Sequence, residues 1–466
     1  MNTQGFVEAD EIRTRFSRAM SDMYKQEVPL YGTLMELVAE TNSTVMASDK
    51  AVYDHLQRTG EIERLDMERH GAIRVGTPEE LATIARLFAV MGMQPVGYYD
   101  LTPAGVPVHS TAFRAIHEDS LQASPFRVFT SLLRLDLIEN EEIRQRVQAI
   151  LDQRQIFTPD ALKLIEKFET NGGLDAKDAA DFVEQALETF RWHHDATVTA
   201  KDYQRLHDQH RLIADVVAFK GPHINHLTPR TLDIDMIQNG MQQKGITPKA
   251  VIEGPPRRRC PILLRQTSFK ALQETVAFTD QDGIATGSHT ARFGEIEQRG
   301  AALTPKGREL YDSLLNAARA ELGEFPSESN AEKYTAILEK HFKDFPDDYA
   351  ELHDKGLAYF RYFPTQKGIA SRSNSHRPSS RQELIAQGHI QYEPLVYEDF
   401  LPVSAAGIFQ SNLGDDSQAH YAGSSNQAEF EKALGQKVTN ELKLYADTQR
   451  RSLLDCSTIL AVSPLV

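Results

Sequence analysis

Two histidines and a pair of glutamates are the residues whose type and placement could build a metal site. His70 begins one predicted strand, His226 lies in another, and Glu295 and Glu297 lie in a third. Side chains two residues apart in a strand share a face, so either glutamate could be the third ligand. Two imidazoles and one carboxylate form the facial triad that holds Fe(II) and leaves positions open for a substrate and O₂. The pattern is therefore compatible with an iron site with a His–His–Glu ligand set, although histidines that bond the backbone at strand ends and a solvated edge strand at 291–300 are the more ordinary interpretation.

Residues beside the two histidines offer an alternative ligand and a substrate contact. His223 competes with His226, but the two lie three residues apart and face opposite ways in a strand, so only one can reach the metal. Arg74 lies four residues after His70, on the same strand face, and its guanidinium suits two-point binding of a carboxylate. The ordinary interpretation of such an arginine is pairing with a neighbouring acid.

Weaker candidates lie elsewhere. A histidine-rich stretch could form a zinc site, although an exposed polar helix surface is its more ordinary interpretation; its residues are His193, His194, Asp195, His207 and His210. Arg265 and Gln266 face opposite ways on a predicted strand, so at most one lines a pocket. The basic run at 257–260 is typical of a solvated turn. No GxGxxG, GxxxxGK[ST] or GxSxG motif supports a dinucleotide-binding, P-loop or serine-hydrolase class.

An internal repeat predicts how these residues are positioned. A strand at 70–76 precedes a helix with Thr77 as its N-cap and Pro78 in the first turn, and that helix ends at Gly92 before an extended segment. The order recurs from a strand at 223–228. There Thr228 and Pro229 are expected to open a helix that ends at Gly245, again before an extended segment.

Two pairs of similar sequence segments support the repeat. The Thr-Pro pairs lie 151 residues apart, and TAFRA (111–115) lies 156 residues before TSFKA (267–271). Similar offsets in the same order predict two copies of a β-α-β-β-β unit. The last strand of the first copy, 126–133, carries no acid, so we expect one metal per chain.

The fold class expected from this pattern is α+β, with two βαβββ modules forming a curved sheet around the metal and with large helical insertions. The expected segments are N-terminal helices with the first module (1–137), a helical insertion (138–215), the second module (216–303) and C-terminal helices with a strand and loop that close the site (304–466). Within the last segment we expect a mobile loop at 366–380 and a closing helix at 427–447.

Composition narrows the possible partners. The net charge of −15 argues against nucleic acid or an anionic membrane as a partner. Two cysteines, Cys260 and Cys456, exclude a disulfide framework and a cysteine-rich metal site. No apolar run approaches the roughly 20 residues of a membrane span, and no signal peptide is evident, so a cytoplasmic location is expected. A small dianionic ligand would then depend on local positive charge, supplied by Arg74 and the metal.

Longer motifs resemble known families. The segment FGEIEQRG (293–300) is similar to the iron-binding glutamate segment of 4-hydroxyphenylpyruvate dioxygenases, in the vicinal-oxygen-chelate superfamily, and that register selects Glu295. The chain resembles the DUF1338 family over most of its length. The segments that carry this resemblance are MERHGAIRVGT, GPHINHLTPRTLDID, HTARFGEIEQRG with ALTPKGRELYD, and DFLPVSAAGIFQSN.

Members of that family are 2-oxoadipate dioxygenase/decarboxylases, also called hydroxyglutarate synthases, of lysine catabolism. The resemblance implies Fe(II) bound by His70, His226 and Glu295, and conversion of 2-oxoadipate and O₂ to 2-hydroxyglutarate and CO₂. It also implies substrate contacts by His70, His226, Arg74, Val403 and Ser404. The alternatives are an isomerase or lyase of the same superfamily that uses another metal without O₂, and a non-enzymatic binding protein.

Overall fold

The computed structural model describes residues 5–280, 283–290, 292–324, 326–373, 380–401 and 426–465. The strands are β1 (Arg69–Val75), β2 (Gln94–Asp100), β3 (Val108–Arg114), β4 (Arg127–Leu133), β5 (His226–Pro229), β6 (Leu264–Ser268), β7 (Gln273–Asp280), β8 (Gly283–Thr290), β9 (Phe293–Arg299), β10 (Phe360–Pro364) and β11 (Ile390–Pro394). Together with the helices they form an α+β fold, so the expected fold class is confirmed.

The helices fall into groups along the chain. Those before and within the first module are α1 (Ala9–Glu27), α2 (Pro29–Ser48), α3 (Lys50–Thr59), α4 (Glu61–Leu65), α5 (Pro78–Val90) and α6 (Glu118–Ala123). Those that follow, up to the end of the second module, are α7 (Glu141–Leu151), α8 (Pro159–Asn171), α9 (Ala176–Glu188), α10 (Ala200–Gln209), α11 (Arg211–Val217) and α12 (Ile234–Gln243). The remaining helices are α13 (Pro305–Leu322), α14 (Ala331–Phe342), α15 (Tyr349–Asp354), α16 (Gln366–Ala370), α17 (Arg381–Ala386), α18 (Gln427–Leu434) and α19 (Glu441–Leu460). Among the described helices, none is long and apolar enough to cross a membrane.

The first module has the predicted order β1-α5-β2-β3-β4. Thr77 caps α5 by accepting a hydrogen bond from the Glu80 backbone N at 3.1 Å, and Pro78 fills the first turn, where its missing N–H costs nothing. Strand β1 pairs with β4 in parallel, and β3 lies antiparallel between β2 and β4. The predicted helix start and strands are therefore confirmed for this half.

The second module departs from the prediction in three ways. Thr228 and Pro229 do not open a helix: they end β5, and α12 begins after Asp233, whose carboxylate accepts from the Met236 N. The extended segment after Gly245 is not a regular strand, since Pro248 and Glu253 form only isolated bridges. A hairpin, β7–β8, is inserted between β6 and β9 and pairs apart from the main sheet.

One seven-stranded sheet joins the two modules, in the order β2-β3-β4-β1-β5-β9-β6. The modules meet where β1 and β5 pair antiparallel, with His70 opposite Thr228 and Ala72 opposite His226. Strand β9 runs parallel to β5 and places Phe293 opposite His226. Because side chains alternate along each strand, this register puts His70, His226 and Glu295 on one sheet face.

The segments outside the modules are mostly helical, as predicted, with differences in detail. The insertion consists of α7 to α11. The expected closing helix at 427–447 is two helices, α18 and α19, because the chain turns at Gly435 with a φ of 76°. The predicted loop at 366–380 begins with the short helix α16, and its residues 374–379 lie outside the described residues.

Candidate metal centre

Three predicted ligands come together on the shared sheet face. His70, His226 and Glu295 are fully buried, and one potential ligand atom from each lies within 4.8 Å of the other two. His70 Nε2 lies 3.1 Å from Glu295 Oε1, and His226 Nε2 lies 3.8 Å from the same oxygen. The three side chains come from β1, β5 and β9, so the pairing of the two modules builds the cluster.

His226 provides the clearest sign that the cluster accommodates a cation. Among the described residues, neither of its ring nitrogens makes a hydrogen bond, although the ring is fully buried. Burial, with the positive charges of His70, Arg74 and Lys249, holds the pKa of His226 well below its ordinary value. The imidazole is therefore neutral, which is the form that binds a metal. A buried nitrogen without a hydrogen bond is costly unless another partner satisfies it.

Hydrogen bonds hold one carboxylate oxygen of Glu295 and leave the other open. Its Oε1 accepts hydrogen bonds from Thr228 Oγ1 at 3.1 Å and Gln266 Nε2 at 3.0 Å, while Oε2 makes no hydrogen bond among the described residues. Burial raises the pKa of Glu295 above its ordinary value despite the opposing effect of His70. A divalent cation would favour the ionised carboxylate and would occupy the free oxygen, so this donor set fits a metal.

Glu297 lies on the other side of the His70 ring. Its Oε2 lies 3.1 Å from His70 Nδ1, and Arg299 donates two hydrogen bonds to its carboxylate, at 2.7 and 3.0 Å. Burial raises the pKa of Glu297, but Arg299 and His70 outweigh that effect and lower it to about 2. The two glutamates that the sequence left as alternatives thus contact opposite nitrogens of one imidazole, and of the two only Glu295 belongs to the cluster with His226.

Arg74 lies on β1 but is engaged by an acid. Its Nη1 donates to Asp215 Oδ2 at 2.6 Å, and both side chains are buried. His223 does not compete with His226, since it forms a separate buried group with Asp215 and His289. The opposite orientation predicted for the two histidines agrees with this arrangement.

Of the other residues that the sequence suggested, some lie at the cluster and others do not. Gln266 faces the cluster, whereas Arg265 pairs with Asp235 at 2.6 Å. Within the described part of the chain, the histidine-rich stretch of the insertion does not gather into a group that could hold a metal. Val403 and Ser404 lie outside the described residues, but Phe400, three residues before Val403, packs its ring against His70 at a centroid distance of 4.9 Å.

Lys249 is a residue near the site that the sequence patterns did not single out. Its side chain is buried, and its Nζ lies 5.6 Å from the centre of the Phe293 ring, which in turn stacks on His226 at 5.0 Å. Burial lowers the pKa of Lys249 to about 7, against the opposing charges of Glu253 and Glu295. It follows the Thr-Pro pair at 247–248, and no motif marks it in advance.

The fold and the cluster define a two-module α+β protein with a buried two-histidine, one-carboxylate site suited to a metal. A family model described as 2-oxoadipate dioxygenase/decarboxylase matches residues 16–412, and the chain belongs to this family of enzymes.

Individual relatives agree over nearly the whole chain. A 2-oxoadipate dioxygenase/decarboxylase of Pseudomonas putida is 70% identical over 460 residues, covering 99% of both chains, and one of Escherichia coli is 55% identical over 453 residues, covering 97% of this chain and 99% of the relative. The crystal structure of the hydroxyglutarate synthase from Pseudomonas putida in complex with 2-oxoadipate has a TM-score of 0.93 and 68% identity, covering 99% of this chain and all of that one. The predicted family is confirmed.

Proposed function

We propose that this chain is an Fe(II)-dependent dioxygenase that converts 2-oxoadipate and O₂ to 2-hydroxyglutarate and CO₂. The observation that carries the proposal is the buried cluster of His70, His226 and Glu295, in which the nitrogens of His226 and one oxygen of Glu295 make no hydrogen bond among the described residues. The names of relatives that match nearly end to end support the substrate. The proposal includes a cytoplasmic setting, which the sequence composition predicts, and a role in lysine degradation, which the family resemblance implies.

The reaction balances without a further reductant. Oxidative loss of CO₂ from the 2-oxo acid and hydroxylation of the adjacent carbon each supply two electrons, and together they reduce one O₂. Iron held by His70, His226 and Glu295 would supply activation of O₂ and a two-point anchor for the 2-oxo acid. The chain's own contribution is to bind and orient the substrate and to exclude water.

Arg74 is proposed to bind the carboxylate at the far end of the substrate. A strand rises about 3.3 Å per residue, which separates the Cα atoms of His70 and Arg74 by about 13 Å. Because both side chains lie on the same face of β1, a six-carbon diacid held at the metal by its 2-oxo acid end could extend its other carboxylate towards Arg74. Two-point binding there would fix which hydrogen of the substrate faces the oxidant.

The chain after Phe400 is proposed to close the site. Phe400 already packs on His70, and Val403 and Ser404 follow it by three and four residues in the sequence. We propose that the Val403 backbone and the Ser404 hydroxyl bind the substrate. Closure of this segment would also keep water from the reacting carbon.

The His70→Ala variant tests the proposal. Loss of one of three protein ligands should abolish both iron binding and O₂ consumption with 2-oxoadipate, measured by metal analysis after anaerobic Fe(II) loading and with an oxygen electrode. His341→Ala is a matched control: His341 on α14 pairs with Glu321 on α13 and is not a member of the cluster, so this variant should retain full activity. Turnover retained by His70→Ala would contradict the assignment, and O₂-independent conversion by the unmodified chain would favour the isomerase or lyase alternative.

A further inference from the structure

A second buried polar cluster lies directly behind Arg74. Asp215, on α11, is 6% exposed and meets four partners. Arg74 Nη1 and Asn225 Nδ2 donate to Oδ2 at 2.6 and 3.5 Å, while His289 Nε2 and His223 Nε2 lie 2.9 and 3.2 Å from Oδ1. Burial raises the pKa of Asp215, but Arg74 and His223 outweigh it and hold the pKa well below its ordinary value. The carboxylate is therefore a fixed anion that bridges β1, β8 and the segment before β5.

The cluster continues away from Arg74 through His289. Its Nδ1 lies 2.7 Å from the Tyr203 hydroxyl, so the ring can donate from Nε2 to Asp215 and accept a hydrogen bond from the Tyr203 hydroxyl at Nδ1. The rings of Trp192 and Phe219 pack on His289, at centroid distances of 6.0 and 4.8 Å. These contacts leave the imidazole one well-defined orientation.

The cluster is built from parts of the chain that lie outside the βαβββ pattern. Tyr203 and Asp215 belong to the helical insertion, and His289 belongs to the hairpin inserted into the second module. All three are buried. Their hydrogen bonds lead to Arg74, which lies on β1 on the same strand face as His70. The insertions thus reach the candidate site through Arg74.

We propose that Asp215, held by His289 and Tyr203, is a positioning residue that fixes the Arg74 guanidinium for the far carboxylate of the substrate. The inference rests on the function proposed above and extends it to substrate selection. An arginine side chain has several rotatable bonds, and its planar donors recognise a carboxylate only when the plane is held in place. Asp215 holds one edge of that plane.

A second metal in this cluster is the competing interpretation, since Asp215, His223 and His289 could also hold a cation. The charge of Arg74 opposes it. The guanidinium lies 2.6 Å from the same carboxylate, so a cation bound there would be repelled at close range by a buried positive charge. We therefore expect one metal per chain, lost in His70→Ala and retained when Asp215 is replaced.

The test compares two substrates in the Asp215→Asn variant of the full, iron-loaded chain. The second substrate, 2-oxohexanoate, shares the 2-oxo acid end and the six-carbon length of 2-oxoadipate but ends in a methyl group. We expect the KM for 2-oxoadipate to rise about tenfold in Asp215→Asn with little change in kcat, because a guanidinium that is no longer held in place loses part of its charged hydrogen bonding to the far carboxylate, and lost substrate binding raises the KM. For 2-oxohexanoate, the KM measured with it as the substrate should not change, and neither should its inhibition constant measured with it as a competitor of 2-oxoadipate.

Tyr203→Phe provides a second variant that removes only one oxygen, so it keeps the inference testable if Asp215→Asn folds poorly. It should raise the KM for 2-oxoadipate in the same direction by a smaller factor, about threefold. Glu80→Gln is the matched control. It breaks another buried pair that ties the first module to the insertion, with Arg154 at 2.7 Å, and should leave the ratio of the two substrates unchanged.

The outcomes separate this inference from the proposed function. An active wild type with an unchanged or lower KM in both Asp215→Asn and Tyr203→Phe would overturn the inference alone, as would an equal rise for both substrates. Two metal ions per wild-type chain, one of them lost in Asp215→Asn, would show a second metal site instead. A wild type without turnover of 2-oxoadipate would overturn the proposed function and this inference with it.

Discussion

His70 lies between two glutamates of the same strand, and the two have different surroundings. Glu295 shares the cluster with His226, whereas Glu297 is bound by Arg299 on its far side. Arg299 in turn donates to the backbone oxygens of Tyr397 and Asp399, close to the segment proposed to close the site. A histidine that binds a metal through one nitrogen usually has its other nitrogen oriented by such a carboxylate.

Glu297→Gln should therefore weaken metal binding without removing a ligand. The amide keeps the size of the side chain but loses the charge that orients His70, so we expect metal affinity to fall by about tenfold. Anaerobic Fe(II) titration measures this directly. Gln298→Glu is a neighbouring control, because Gln298 lies on the opposite strand face and bonds the Leu232 oxygen at 2.9 Å. An affinity equal to wild type in Glu297→Gln would contradict the orienting role.

The sequence could predict the members of the His70–His226–Glu295 cluster but not their surroundings. The repeat and the family resemblance selected His70, His226 and Glu295, because each lies at a fixed position in a module. Asp215 and Lys249 are 141 residues or more along the chain from the β1 residues Arg74 and His70, and no local pattern encodes their approach. The sequence analysis named only Arg74 and the metal as sources of local positive charge. The structure adds two basic side chains that are buried near the site, Lys249 and Arg299.

At the scale of elements, the start of α11 gives a pH-dependent contribution to stability. His210 caps this helix, and its Nδ1 accepts a hydrogen bond from the Leu212 backbone N at 3.1 Å. Burial, with the charges of Arg211 and Arg74, lowers the pKa of His210 to about 4. As the pH falls, His210 of the unfolded chain is protonated at a higher pH than His210 of the folded chain. The contribution of this group to the unfolding free energy is therefore lost between about pH 6.5 and about pH 4.

The His210→Asn variant should remove this pH dependence while keeping the cap. Asparagine accepts the same helix N–H but does not titrate. We expect the wild type to lose about 2 kcal/mol more of its unfolding free energy than the variant between pH 7 and pH 4. Urea unfolding at several pH values measures the difference. Parallel curves for the two proteins would show that His210 titrates normally in the folded chain.

The second module shows why some secondary-structure elements were harder to predict than the residues of the cluster. A Thr-Pro pair is a strong signal for a helix start, and it predicts α5 correctly at Thr77. Thr228 and Pro229 are instead the last two residues of β5. They stay in the strand because they pair with β1, where Pro229 lies opposite Arg69. Tertiary pairing outweighs the local signal there.

At the scale of the molecule, the two modules and the helical insertion share packing. One hydrophobic core includes residues of α1, β1, α9 and β9, so the N-terminal helices, both modules and the insertion contribute to it. We propose the segments 1–137, 138–215, 216–303 and 304–466 as stretches of the chain with different roles, not as units that fold alone. A site shared by the central strands then depends on the whole assembly.

Metal binding should consequently stabilise the whole chain. A ligand that binds only the folded state adds about 2.7 kcal/mol to the unfolding free energy at a concentration 100 times its Kd. We expect anaerobic Fe(II) to raise the Tm of the wild type and to leave that of His226→Ala unchanged, as measured by thermal unfolding. An equal shift in both proteins would place the stabilising ion at another site.

On the function proposed above, this chain oxidises 2-oxoadipate with both atoms of O₂ at the His70–His226–Glu295 centre. The most direct measurement is mass spectrometry of the product after the anaerobic, Fe(II)-loaded protein receives 2-oxoadipate and ¹⁸O₂. We predict 2-hydroxyglutarate that carries one labelled oxygen in its hydroxyl and one in its new carboxylate, formed with one CO₂ per O₂ consumed. An unlabelled product, or no O₂ consumption by the iron-loaded chain, would contradict the account.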